Sequence, residues 1–90
     1  MVLNGNWLDD WRGGDARVLV AYDDDYEYWL KREFYDGIYF VNMFRVEATS
    51  GEEMPIFAGV REYASAAGAG DVIVFWGEKL ANDWLAENGF

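Results

Sequence analysis

Residues 32–41 read REFYDGIYFV, and the dipeptide at the centre of this stretch decides the fold. Asp36-Gly37 sits between aromatic and β-branched residues on both sides. A two-residue hairpin turn of type I′ needs positive φ at both central positions, and Asp-Gly supplies it with little strain. A second reading competes just upstream. In YEYWLKREFY (residues 26–35), Glu27 and Lys31 stand at helical spacing, and Asp25 is placed to cap a helix. The hairpin is preferred because it agrees with its surroundings.

Residues 17–22, RVLVAY, form a short β-rich run that ends at Asp23-Asp24-Asp25. A three-residue turn there sets Tyr22 opposite Tyr26 and Val20 opposite Tyr28. The Asp-Gly turn sets Tyr35 opposite Ile38 and Phe34 opposite Tyr39. Side chains alternate along a strand. One face then collects Val18, Val20, Tyr22, Tyr26, Tyr28, Leu30, Phe34, Tyr39, Val41 and Met43, broken only by Arg32 and Arg45. Two turns assigned separately give one apolar face, which predicts a three-stranded antiparallel meander. The other face carries Leu19, Ala21, Trp29, Tyr35, Ile38, Phe40, Phe44 and Val46 among polar residues. It needs either a cover or a partner.

On the N-terminal side, residues 1–16 are expected to be irregular, with turns at Asn4-Gly5 and Gly13-Gly14. Val2, Leu3, Trp7, Leu8 and Trp11 would pin this segment to the domain. On the C-terminal side, Ser50-Gly-Glu-Glu53 has capping-box spacing, and Pro55 suits a helix start. Ile56, Val60, Tyr63, Ala64 and Ala67 follow at helical spacing, and Gly68 and Gly70 stop the helix. VIVFW (residues 72–76) reads as a buried strand. GEKLANDWLAENGF (residues 77–90) reads as a helix with Leu80, Trp84 and Leu85 inward, a Lys79–Asp83 pair outside, and a glycine cap at Asn88-Gly89. The predicted architecture is α+β. It is a small single domain with a three-stranded antiparallel meander plus a fourth strand in a mixed sheet, and two helices.

The composition narrows the chemistry. The 90 residues are 52% hydrophobic and 19% aromatic, too apolar for a disordered acidic chain despite a net charge of −10. Cysteine is absent, so disulfides and thiolate chemistry are excluded. Histidine is absent too, which removes the commonest general base and zinc ligand. Ser50, Ser65 and Thr49 therefore lack the partner a serine triad needs. No apolar run spans a bilayer, and MVLNGNWLDDW lacks signal-peptide character, so a cytoplasmic protein is expected.

Asp23 and Asp25 follow an apolar strand, and hard cations take oxygen ligands. Residues 18–25 resemble the strand-plus-DxD start of haloacid-dehalogenase-type phosphatases. The resemblance implies a carboxylate–metal hydrolase, but the further lysine and acidic motifs of such enzymes are missing. The EF-hand pattern fails as well, and Gly68-Ala-Gly70 has no P-loop lysine. No catalytic residues, metal or cofactor are expected.

Binding is the better expectation. Seventeen acidic residues face seven basic ones. A field of this sign repels nucleic acid and anionic membranes and steers a basic protein inward. The same charge would also serve plain solubility. Asp23, Asp24, Asp25 and Glu27 form one acidic cluster; Asp9, Asp10 and Asp15 form a second; Glu47, Glu52 and Glu53 form a third. Such clusters can occupy the arginine and lysine sites that a protein offers to phosphates. Trp7, Trp11, Trp29 and Phe44 are the candidate aromatic anchors.

Phage-encoded DNA mimics, anti-restriction and anti-CRISPR proteins, and immunity proteins share this composition. GNWLDDW (residues 5–11) is similar to a Gly-x-Trp-x-Asp stretch of anti-restriction proteins of the ArdA type, over those few residues only. The expected function is a non-enzymatic module that blocks a basic, nucleic-acid-binding partner. The alternative is a protein that self-associates, for instance as a homodimer, through its second sheet face.

Overall fold

The computed structural model describes residues 1–36, 38–62 and 69–90, and the side chains of all these except 58–62 and 69–72. Five strands and two helices follow one another as β1 (Val2–Leu3), α1 (Trp7–Arg12), β2 (Arg17–Tyr22), β3 (Tyr26–Tyr35), β4 (Ile38–Glu47), β5 (Glu53–Glu62) and α2 (Ala69–Glu87). The sheet order is β1-β2-β3-β4-β5, and every neighbouring pair is antiparallel. The fold is α+β, with five strands rather than four and no parallel pair among the described strands.

The Asp-Gly hairpin forms as its sequence predicts. Tyr35 pairs with Ile38 and Phe34 with Tyr39, in a register that runs unbroken to Tyr26↔Glu47. Asp36 has φ 52°, the positive value the first turn position requires. The helical alternative for residues 26–35 is overturned. Asp23, not Asp25, is the residue whose side chain caps backbone N–H groups, and it caps a turn.

The β2–β3 pairing matches the predicted register only at its far end. Val18 pairs with Leu30 and Leu19 with Trp29, but a bulge then sets Ala21 opposite Tyr28 and Tyr22 opposite Glu27. The extra residue turns Ala21 inward beside Val20, and both are fully buried. Tyr22 is displaced to the surface at 43% exposure.

Residues 50–62 depart most from expectation. No helix starts at Ser50. Its hydroxyl accepts the N–H of Glu52 (3.2 Å) within a turn, and Gly51 there has φ 73°. The chain then runs as β5 along β4, from Val46↔Glu53 to Ile38↔Glu62. The physical reason is the free edge of β4, whose backbone groups need partners that a helix cannot supply. Pro55 is tolerated because β5 is an edge strand and carries a register break beside it. Tyr63, Ala64, Ala67 and the proposed stop at Gly68 lie outside the described residues.

VIVFW is helix, not strand. The apolar period runs straight through it: Ile73, Gly77, Ala81 and Leu85 are buried, one turn apart. Trp76, Leu80 and Trp84 form a second row packed against the same core. The helix ends as its sequence predicts. Gly89 has φ 91°, the N–H of Phe90 donates to Leu85 O (2.9 Å), and that of Gly89 donates to Ala86 O (3.3 Å). This is a Schellman cap.

The N-terminal segment is less irregular than expected. Asn4 N donates to Val20 O (2.9 Å) and its side-chain amide to Leu19 O (2.7 Å), which ties the segment to β2. Val2 and Leu3 hold by backbone pairing, since their side chains are exposed. Trp7 and Trp11, one helical turn apart, enter the core at 3% and 0% exposure, and Leu8 packs beside them.

The core lies between one sheet face and the two helices. Trp11 is its keystone. Its indole N–H donates to Val74 O in α2 (2.9 Å), and its ring lies so close to Gly77 that a Cβ there would fall 2.4 Å from Cζ2. Arg32 projects onto this same face and is accommodated. It lies 4.4 Å from the Trp11 ring and donates to the carbonyls of Trp11 and Asp15, both at 3.1 Å. Burial draws its pKa below the usual arginine value, though a guanidinium stays protonated.

Candidate partner-binding surfaces

The antiparallel order brings the β2–β3 and β4–β5 turns to the same end of the sheet. Asp23 organises the first. Its Oδ1 accepts the N–H groups of Asp25 (2.9 Å) and Tyr26 (2.7 Å), and its Oδ2 accepts the Tyr28 hydroxyl (3.1 Å). These bonds to the ionised form, led by Tyr26 and Asp25, hold the Asp23 carboxyl below its usual pKa. Burial, and then Asp23 itself, push the Tyr28 phenol up. The N–H of Ala48 donates to Asp25 O (2.8 Å) and joins the two turns.

The second turn closes with Gly51 N to Glu47 O (2.8 Å) and Glu47 N to Glu52 O (3.0 Å). Asp23, Asp24, Asp25, Glu27, Glu47, Glu52 and Glu53 thus share one end, and two of the three predicted acidic clusters are one surface. Asp24, Asp25, Glu27, Glu52 and Glu53 are exposed. Arg45 stacks over Tyr26 at 4.4 Å. Glu53 is 3.6 Å from Arg17.

Asp9 and Asp10 are exposed on α1, in its first turn, where negative charge also favours the helix dipole. They belong to a different element from the turns. Among the described residues, no three carboxylates converge so as to hold a metal ion. Asp23 is already engaged by its own turn.

The proposed aromatic anchors fare differently. Trp7, Trp11 and Phe44, the last at 7% exposure, are packed within the fold and present little surface to a partner. Trp29 is half-buried on the sheet face that the described helices leave open, and its enclosed indole N–H has no hydrogen-bond partner among the described residues. Arg17 lies across this face, 4.7 Å from the Trp29 ring and 4.9 Å from that of Phe44, while Lys31 sits 5.7 Å from Phe44. Long cationic side chains thus shield part of an apolar face that no described helix covers.

The exposed rings lie elsewhere. Phe34 and Tyr35 flank the tip of the β3–β4 hairpin, at 58% and 76% exposure, at the opposite end from the acidic turns. Phe34 stacks on Tyr39 at 4.6 Å. The signal was present in the sequence: a hairpin of two ten-residue strands carries its tip beyond the reach of a short core.

Phe75, at 67% exposure, lines a shallow cavity of about 380 Å³ with Arg12, Val74 and Glu78. Glu78 is buried there, and both its oxygens accept from Arg12, one at 3.0 Å from Nη2 and the other from Nε. This bidentate pair locks α1 to α2. No described helix is long and apolar enough to cross a membrane. Compared with protein-family models, curated proteins and solved structures, the chain matches none.

Proposed function

We propose that this protein is a non-enzymatic acidic binding module, working in the cytoplasm, that blocks a basic nucleic-acid-binding protein by electrostatic and steric occlusion. The observation that carries the reading is the gathering of seven carboxylates on two cross-tied turns at one end of the sheet. Charges fixed on a rigid scaffold meet arginines and lysines without an ordering cost, and they accelerate encounter. Asp24, Asp25 and Glu27 are the working carboxylates. Asp23 sets the turn, and Asp9 and Asp10 extend the negative field. DNA-mimic, anti-restriction, anti-CRISPR and immunity proteins are the classes that work this way.

Capture from host lysate, eluted by rising salt, tests this reading. The expected result is a basic nucleic-acid-binding protein that releases as salt rises and is not retained by the Asp24→Asn, Asp25→Asn, Glu27→Gln variant. Retention of the same protein by the variant at low salt would remove these residues from the mechanism.

A second reading has its own support. No described helix covers the sheet face bearing Leu19, Trp29, Ile38, Phe40 and Val46, which are only half-buried. Self-association through this face would yield a dimer that survives high salt, because its contact is apolar. Sedimentation at low and high salt distinguishes the two readings.

A further inference from the structure

We propose that Tyr22 and Glu27 form an arginine-docking site on the open sheet face, filled by a guanidinium of the basic partner protein. The proposal rests on the acidic-module reading and supplies its point of recognition.

The β-bulge builds the site. It shifts the register between Leu19 and Ala21, so that Tyr22 pairs with Glu27 on one side and with Val2 on the other. Residues paired across strands share a face. The neighbouring pair, Ala21 and Tyr28, faces the helices, so Val2, Tyr22 and Glu27 stand in one row on the opposite face. Bulges commonly re-aim a side chain in this way. Val2 and Tyr22 are 50% and 43% exposed, and Glu27 is exposed beside them. Among the described residues, the Tyr22 ring stacks on no other ring and holds no cation, and Glu27 has no ion-pair partner.

The fold itself displays what such a pair takes. Arg17, Arg32 and Arg45 each lie over a ring of their own chain. On this same open face Arg17 covers Trp29 at 4.7 Å and stands 3.6 Å from Glu53. Tyr22 and Glu27 repeat that set of ring and carboxylate without the arginine. The neighbouring cations of the face are engaged, Arg17 with Glu53 and Lys31 with Glu33 at 2.9 Å.

Charge selects the occupant at this point of the sheet. Tyr22 runs directly into Asp23-Asp24-Asp25, and Glu27 pairs with Val46 beside Glu47. A cation is drawn here, and a second copy would set these carboxylates against themselves. A ring face with a carboxylate next to it favours the planar guanidinium over an ammonium, and Val2 can pack its aliphatic stem. The row also lies far from the Ile38↔Glu62 pair at the hairpin end. The path along β4 to Val46 and across to β2 is about 30 Å, whereas the stretch from Glu62 to Ala69 spans at most about 25 Å.

The test titrates the full chain at low salt with blocked tetra-arginine and tetra-lysine peptides, equal in charge, and maps binding by NMR shifts. The arginine peptide is expected to bind about two- to fivefold more tightly, with shifts centred on Val2, Tyr22 and Glu27. Tyr22→Leu keeps an apolar side chain at an exposed position, and should abolish that preference while leaving the lysine affinity unchanged. Equal affinity for the two peptides, or an arginine preference that survives Tyr22→Leu, would overturn the docking site and leave the acidic module standing. Binding of neither peptide would overturn both. Shifts of the same row that grow with protein concentration alone would assign it to a second copy and overturn the arginine occupant.

Discussion

The helix-covered face of the sheet and its acidic end are built from the same strands, yet they use side chains in opposite ways. On the covered face the fold accounts for the largest buried residue and for the one arginine beside it. Trp11 fills the space over Gly77 and bonds Val74, and Arg32 caps carbonyls and stacks on Trp11. At the acidic end only Asp23 has a full set of partners, while Asp24, Asp25 and Glu27 point outward with nothing in the fold that requires a carboxylate. The difference teaches where to look for function in this chain: at the residues whose chemistry the fold leaves unused.

The largest expected effect is on the covered face. Trp11→Ala removes a fully buried ring and its hydrogen bond, and should destabilise the protein by about 3–5 kcal/mol in denaturant unfolding. Gly77→Ala sharpens the point, because its sign is unusual. Alanine in place of glycine inside a helix normally adds up to about 1 kcal/mol. Here the new methyl meets the Trp11 ring, so a loss of about 1–3 kcal/mol is expected, read as a fall in Tm. A rise would show that α2 does not rest on Trp11.

Asp23 tests the boundary between the two regions. Its folded pKa lies below the usual 3.8, so its contribution is complete above that value and disappears as pH falls through the lower folded one. Thermal melts of the wild type should therefore lose stability in that acid window. Asp23→Asn, which keeps an acceptor but cannot titrate, should show a flatter profile there. Smaller still is Arg17→Ala on the open face, which removes a cation stacked on Trp29 and should cost about 0.5–1 kcal/mol. An effect as large as that of Trp11→Ala would mean that the open face is a second core.

Much of this was legible in the sequence, but unevenly. Asp36-Gly37 announced its hairpin because the turn chemistry is local and its flanks agree with it. Trp7 and Trp11 read from the sequence both as pins of the N-terminal segment and as partner anchors, and their burial agrees with the first. Residues 53–62 and 72–76 misled for physical reasons. The Ser50-Gly-Glu-Glu53 spacing describes a helix start, but the free edge of β4 outweighed that local preference. In VIVFW the apolar run suggested a buried strand, with the helix starting only at Gly77. In fact Gly77 sits on the buried stripe with Ile73, Ala81 and Leu85, chosen for its lack of a side chain beneath Trp11. The acidic end was partly legible. The clusters were evident, but only the antiparallel register brings the Asp23–Asp25 turn beside Glu47 and Glu52, and only the hydrogen bonds separate Asp23 from its neighbours.

The central claim is that the outward carboxylates of the acidic end serve a partner and not the fold. Its most direct test is the thermal stability of the Asp24→Asn, Asp25→Asn, Glu27→Gln variant at low salt. The account predicts a Tm equal to or above that of the wild type, since removing like charges from a crowded end relieves repulsion. A loss of more than about 1 kcal/mol, well beyond the ±0.5 kcal/mol usual for surface changes, would show that these carboxylates hold the fold together and would contradict the claim.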